Sequence, residues 1–381
     1  MATNTVKIEP SVLKWAVEDS QRPVADLIAK FPKLLDWLTG DACPTFKQLN
    51  DLSDALRVPF GYLFLKAPPT ESVVETEFRT ISNNLVGKPS KELEDTLLEV
   101  EQACLWMRDF RIFEGYDPLS YVGSLAGSDD EALANALRNT LSVAPDWSLG
   151  MRGTDSAFVF IRKAMEKLGV IVMIKGWAKT NAHRPLNIGE FRAFVLADEY
   201  APVIFINGKD SHAGRLFSLV HEFAHLLLGG DHLENGNAKK ETLCNRATIE
   251  FIAPKRAVRD QWSGLNKEPL ERVAYLADKF NVSPHAMAIH ALGMNLISDT
   301  VFQQVVRETE LNLQRLAEAK PNDDGGGGSY YNTKTFSMTP EYVMAVASHV
   351  NRGMTKYTEA FNLLGVAKMK TYDTLVKKVY G

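Results

Sequence analysis

Two imidazoles and a carboxylate fall within five residues at His221-Glu222-Phe223-Ala224-His225. Histidines four apart lie one turn along the same helix face, about 5–6 Å apart at the backbone. At that spacing both rings can meet one cation at the roughly 2.0–2.1 Å of a zinc–nitrogen bond. Glu222, one residue on, points about 100° around the helix, so it misses the ligand pair but reaches a water at the metal. A carboxylate that takes the proton of a water brought to pKa ~7 is the machinery of zinc peptide hydrolysis. Five-residue patterns of this kind also arise by chance. What singles this one out is its setting: Leu219, Val220, Phe223, Ala224, Leu226, Leu227 and Leu228 make the helix apolar nearly all round. Three polar groups in a buried helix go uncompensated unless a metal organises them.

A catalytic zinc takes three protein ligands and keeps one position open. The downstream candidates are Asp231, His232, Glu234, Glu241 and Glu250. Glu241 and Glu250 are nine apart on a predicted helix over 240–252, about 180° round it, so only one can face the metal. Glu241 shares its face with Asn245 and Thr248, a polar stripe that suits a ligand and the groups orienting it. Glu250 falls beside Leu243 and Ala247. Glu241 is therefore preferred, with His232, in a Gly/Asp/Asn-rich loop, as the alternative. Cys244 is set aside because thiolates favour closed structural sites. His285 and His290 are five apart, the wrong spacing to share a metal, and His183, His212 and His349 stand alone. Gly325–Gly328 lacks the Lys-Ser/Thr of a phosphate loop.

The elements that must position these residues follow from periodicity and punctuation. Short apolar, β-branched runs predict strands at 169–174, 191–196 and 203–206, and Asn207-Gly208 ends the last. A helix over 214–228 carries the histidines and stops at Gly229-Gly230. Further helices are expected at 131–141, 156–168, 270–280 and 284–292. Upstream, 1–70 reads as four or five short helices, the size of a helix-turn-helix, and 71–127 as a connector dominated by a helix over 89–113. The zinc domain is expected over 128–318. A Gly-rich linker at 319–329 leads to a small helical unit at 330–381. That unit holds seven Lys/Arg against three Asp/Glu. The fold class expected is α+β.

At 381 residues, 45% apolar and 24% charged, the chain has the ordinary globular balance. Its net charge of −4 is too small to argue for a polyanionic partner on its own. Three cysteines (Cys43, Cys104 and Cys244) without framework spacing suit free thiols in a reducing compartment. No basic-then-apolar leader and no run of 18 apolar residues is present. The expectation is a soluble cytoplasmic protein with no membrane span.

Over 128–300 the chain resembles the ImmA/IrrE family of bacterial and phage metallopeptidases. The resemblance rests on Pro202–Asn207, on Arg215–Gly229 and on Glu241-Thr-Leu-Cys-Asn245 through Glu250-Phe-Ile-Ala-Pro254. It implies a zincin-like domain with His221, His225 and Glu241 as zinc ligands and Glu222 as general base. Ser218, Ala224 and Cys244 depart from the family's usual Thr, Gly and Ala, all small residues. Residues 1–66 resemble the Xre-type helix-turn-helix through Trp37, Gly40, Pro44-Thr45 and Gln48-Leu49. There, eight basic residues meet eight acidic ones, and Leu34-Leu35-Asp36 stands where base-reading residues belong. That composition equips the module poorly for DNA, and favours protein contact. The layout resembles mobile-element members found beside toxin-like genes. This implies a toxin, antitoxin or repressor partner encoded nearby, as substrate or as binding partner.

Overall fold

A computed structural model of the chain describes residues 5–69, 89–125, 129–179, 181–229, 238–318 and 337–380. They fall into two compact units, Met1–Glu94 and Asp95–Gly381. The expected boundaries at 70/71 and 127/128, the linker at 319–329 and residues 330–336 lie outside the described residues.

The first unit contains α1 (Pro10–Asp19), α2 (Val24–Lys30), α3 (Leu34–Thr39), α4 (Phe46–Leu56) and a 3-10 turn at Phe60–Phe64. Thr45 opens α4 with a reciprocal cap: its hydroxyl accepts from Gln48 N, and Gln48 Oε1 accepts from Thr45 N. Gly40 ends α3 at φ +86°, a conformation that favours glycine. Leu13, Leu27, Leu34, Trp37, Leu49 and Leu56 form the core. Leu34 thus belongs to the interior, while Leu35 is exposed.

The second unit is entered by α5 (Lys91–Phe113). It continues with α6 (Asp130–Leu141), α7 (Thr154–Lys167), β1 (Ile171–Lys175), β2 (Ala193–Leu196), β3 (Val203–Asn207), α8 (His212–Leu227) and α9 (Ala238–Ile252). There follow α10 (Lys255–Ser263), α11 (Pro269–Lys279), α12 (Pro284–Gly293), α13 (Asp299–Glu318), α14 (Pro340–Asn351), α15 (Tyr357–Leu363) and α16 (Met369–Tyr380). The chain is mostly helical with one small mixed sheet, an α+β arrangement. The strand order is β1-β3-β2, with β1 parallel to β3 and β2 antiparallel to it. Central β3 is buried at every position, as its unbroken Val-Ile-Phe-Ile run requires. Helix α8 packs on β2, β3 and α7, and α9 packs on α8 and α6. Among the described residues no helix is long and apolar enough to cross a membrane, and all three cysteines are free.

The outer edge of β1 is not open. Ile174 N donates to Ser337 O at 2.9 Å, and Val172 N donates to the Thr339 hydroxyl at 2.7 Å. The C-terminal helices are anchored beyond this clip. Tyr342 meets Trp106 edge-on at 6.1 Å, and His349 lies among Trp106, Phe110 and Phe113. Buried Arg111 ties the same region together by donating to Gly169 O, Tyr200 O and Glu341.

His290, in the last turn of α12, is buried and hydrogen-bonds through Nε2 to Ala253 O at 2.9 Å. Burial pushes its pKa down to about 4. The unfolded chain binds this proton near pH 6.5, the folded chain only near pH 4, so stability falls as the pH drops across that window. In urea unfolding, wild type should lose about 2–3 kcal/mol more between pH 7 and 4.5 than His290→Gln, whose amide can still donate to Ala253. Equal pH dependence in the two proteins would show that His290 does not carry the acid sensitivity.

Candidate metal centre

Helix α8 is held at both ends. The Ser211 hydroxyl accepts from Gly214 N at 3.0 Å, which starts the helix at His212, two residues before the expected start at 214. Asp210, paired with Arg192, fills the space beside Gly214, where a Cβ would come within 2.5 Å of Asp210 Oδ1. At the other end Gly123 N and Leu125 N donate to Leu226 O and Leu227 O at 3.0 and 2.9 Å. Gly229 turns the chain away at φ +67°, and a Cβ there would lie 2.9 Å from the Gly123 backbone. Leu216, Leu219, Val220, Phe223, Ala224, Leu226 and Leu227 are all fully buried. Together they contribute on the order of 10 kcal/mol of gross burial free energy, enough to fix a helix that also carries polar side chains inward.

His221 and His225 project one turn apart toward α9, where Glu241 stands in the first turn. His221 Nε2 and His225 Nε2 are 3.0 Å apart. Glu241 Oε2 lies 3.3 Å from His221 Nε2, and Oε1 lies 3.1 Å from His225 Nε2. Four ligands arranged tetrahedrally at 2.0–2.1 Å have edges of about 3.3 Å, so two ring nitrogens and a carboxylate with one oxygen beside each are spaced as such a site needs. Among the described residues, these three make up the His/Cys/Asp/Glu group whose ligand atoms lie within 4.8 Å of one another. The histidines are nearly enclosed, at 13% and 15% exposure, whereas Glu241 is 47% exposed. Among the described residues, the cluster is therefore exposed on the Glu241 side.

Electrostatics follow from this enclosure. Burial presses the His221 pKa down, but the Glu241 carboxylate, with Glu222 and Asn245, outweighs it and leaves the pKa raised. Hydrogen bonds from both histidines hold Glu241 well below the usual carboxylate range. Glu222 is off the ligand face and only partly accessible. Burial raises its pKa against the lowering influence of the two histidines. A cation at the centre would replace the shared proton that this apposition of rings and carboxylate otherwise favours.

The remaining candidates have other surroundings. Glu250 accepts from Lys255 N at 3.2–3.3 Å, which caps α10, while Arg138 donates to the Glu250 backbone carbonyl. Cys244 is fully buried in the core, and burial pushes its thiol up to about 12. Asp231, His232 and Glu234 lie outside the described residues. His212 pairs with Asp155, and His285 lies beside Phe302. Motif reading passes over Arg215, seven residues before Glu222 and hence on the same helix face. Its Nε is buried without a hydrogen-bond partner among the described residues. The i, i+7 spacing was the available signal.

Residues 165–291, about a third of the chain, match the peptidase M78 family model, described as the IrrE N-terminal-like domain. The match spans β1 to β3, α8 and α9, and so includes His221, Glu222, His225 and Glu241. It supports a metallopeptidase of the IrrE type, and with it a metal ion. No curated protein matches the chain at a significant level.

Metal analysis of the purified chain should give close to one divalent ion per molecule. His221→Ala, His225→Ala and Glu241→Ala should each lose it, whereas Glu250→Gln and Cys244→Ser should keep it. Full occupancy in Glu241→Ala would remove Glu241 from the ligand set.

Proposed function

We propose that the chain is a zinc-dependent, site-selective endopeptidase of the ImmA/IrrE type. Its substrate would be a repressor or antitoxin-type protein encoded nearby. The observation that carries this reading is the approach of His221 Nε2, His225 Nε2 and a Glu241 carboxylate to within 3.0–3.3 Å, with Glu222 one residue off that face. Two imidazoles, one carboxylate and an open side are the donor set of a catalytic rather than a structural zinc. Zinc held there supplies Lewis acidity that makes water a nucleophile near neutral pH.

Glu222 then does the proton work. Its carboxylate accepts a proton as the water oxygen bonds to the scissile carbonyl carbon. It returns that proton to the amide nitrogen as the C–N bond breaks. A carboxylate whose pKa is raised by burial suits both roles better than one at its ordinary value.

The rest of the layout supports a regulatory setting. The zinc domain reads as zincin-like, the first unit as an Xre-type helix-turn-helix module, and the protein as cytoplasmic. The rival reading, a non-catalytic antitoxin or transcriptional regulator with a structural zinc, differs at Glu222, which a structural site does not use.

Glu222→Gln should retain zinc and the fold while lowering the cleavage rate by about 10²–10⁴. The measurement is co-expression with the neighbouring gene product, following that partner's length by mass spectrometry. A partner left intact by the wild-type chain, yet bound equally tightly by both forms, would establish the binding role instead.

A further inference from the structure

The C-terminal helices carry a surface that peptide hydrolysis does not use. Helix α15 is joined to α16 by residues 364–368, with Gly365 at φ +54°. Two backbone bonds set this turn, Val366 N to Phe361 O at 2.9 Å and Gly365 N to Asn362 O at 3.1 Å. Ala360, Leu364, Val366, Tyr372 and Leu375 are buried, as are Tyr342, Val343 and Val346 of α14. Tyr372 packs against Tyr357 and Phe361 at 5.7 and 5.8 Å. Helices α15 and α16 thus both pack on α14, and the tight turn with its left-handed glycine presents one side of α16 to solvent.

The outward surface of α16 is basic. Lys368, Lys370, Lys377 and Lys378 are exposed, and Lys356 is exposed just before α15. Of the three acids in this stretch, Glu341 is engaged by Arg111. Glu359 and Asp373 face solvent. Lys370 and Lys377 are two helical turns apart, on the side opposite buried Leu375, with Asp373 and Thr374 between them. The lysine pairs at the two ends of α16 are about 12 Å apart along the axis. A helix lying along the major groove keeps its two ends within side-chain reach of the flanking phosphates, which these lysines can contact. Between them Asp373 supplies an acceptor of the kind that reads base edges, and Thr374, whose hydroxyl donates to Lys370 O at 2.8 Å, retains an oxygen able to accept.

We propose that α14–α16 bind duplex DNA, with α16 lying in the major groove. The assignment is independent of the peptidase reading, because it uses none of the metal-centre residues.

The test is fluorescence anisotropy with the full chain and mixed-sequence 30-base-pair duplexes. Binding is expected at 50 mM salt, with a slope of log affinity against log salt of about −3.6 for four phosphate contacts. Changing Lys368, Lys370, Lys377 and Lys378 together to Ala should weaken binding at least tenfold, with circular dichroism and metal content unchanged. The matched change of Lys14, Lys30, Lys33 and Lys47 in the first unit should leave affinity within twofold. The proposal is overturned by no binding at 50 mM salt, by binding indifferent to the α16 lysines, or by loss through the first-unit lysines instead. Equally effective competition by polyglutamate would overturn it in favour of an acidic protein partner.

Discussion

Two imidazole nitrogens 3.0 Å apart on a helix with one fully buried apolar face are a costly arrangement, and much of the second unit serves to keep it. The helix cannot rotate to expose them, because seven fully buried apolar side chains fix its phase against the sheet and against α7 and α9. It cannot slide, because Ser211 closes its start and the Gly123–Leu125 backbone closes its end. Glu241 then comes from a different helix, so the centre depends on the α8–α9 packing as well as on α8. Core burial and the geometry of the cluster are thus coupled: a cavity in the α8–α9 contact would move Glu241 away from the two rings.

The sequence displayed part of this plainly. The His-x-x-x-His spacing and the surrounding leucines marked α8, and the helical phases of Glu241 and Glu250 distinguished which of the two carboxylates could face the histidines. In the structure Glu241 meets both rings and Glu250 caps the next helix. Strand β3 was legible as an unbroken β-branched run. What stayed hidden is long-range. Gly229 reads as an ordinary helix stop, yet a second constraint on it comes from Gly123, about a hundred residues earlier. Nothing in the local pattern of β1 says that residues 337–339 cover its edge, because pairing partners so far apart leave no periodic trace. The basic C-terminal helices were visible as composition, but which lysines share a face depends on the buried register of Tyr372 and Leu375.

The two helical ends of the chain also differ in how charge and burial combine. Over residues 1–66 eight acids offset eight bases, and the α3 stretch expected to read bases contributes Leu34 to the core. In the last three helices the acids are fewer, and one of them is already engaged by a buried arginine. Resemblance at the level of helix order therefore does not decide which end meets a polyanion; the charge left facing solvent does.

The clip of Ser337 and Thr339 on β1 has one more consequence. β1 is Ile-Val-Met-Ile-Lys, buried at every position, and its outer rim is occupied only by residues near the far end of the chain. A chain ending before Ser337 would bare unpaired amides and carbonyls on a strand whose first four residues are apolar and mostly β-branched, a template for cross-chain pairing. The C-terminal segment is thus a built-in guard of solubility, and a nonsense mutation there would present as aggregated protein before it presented as lost function.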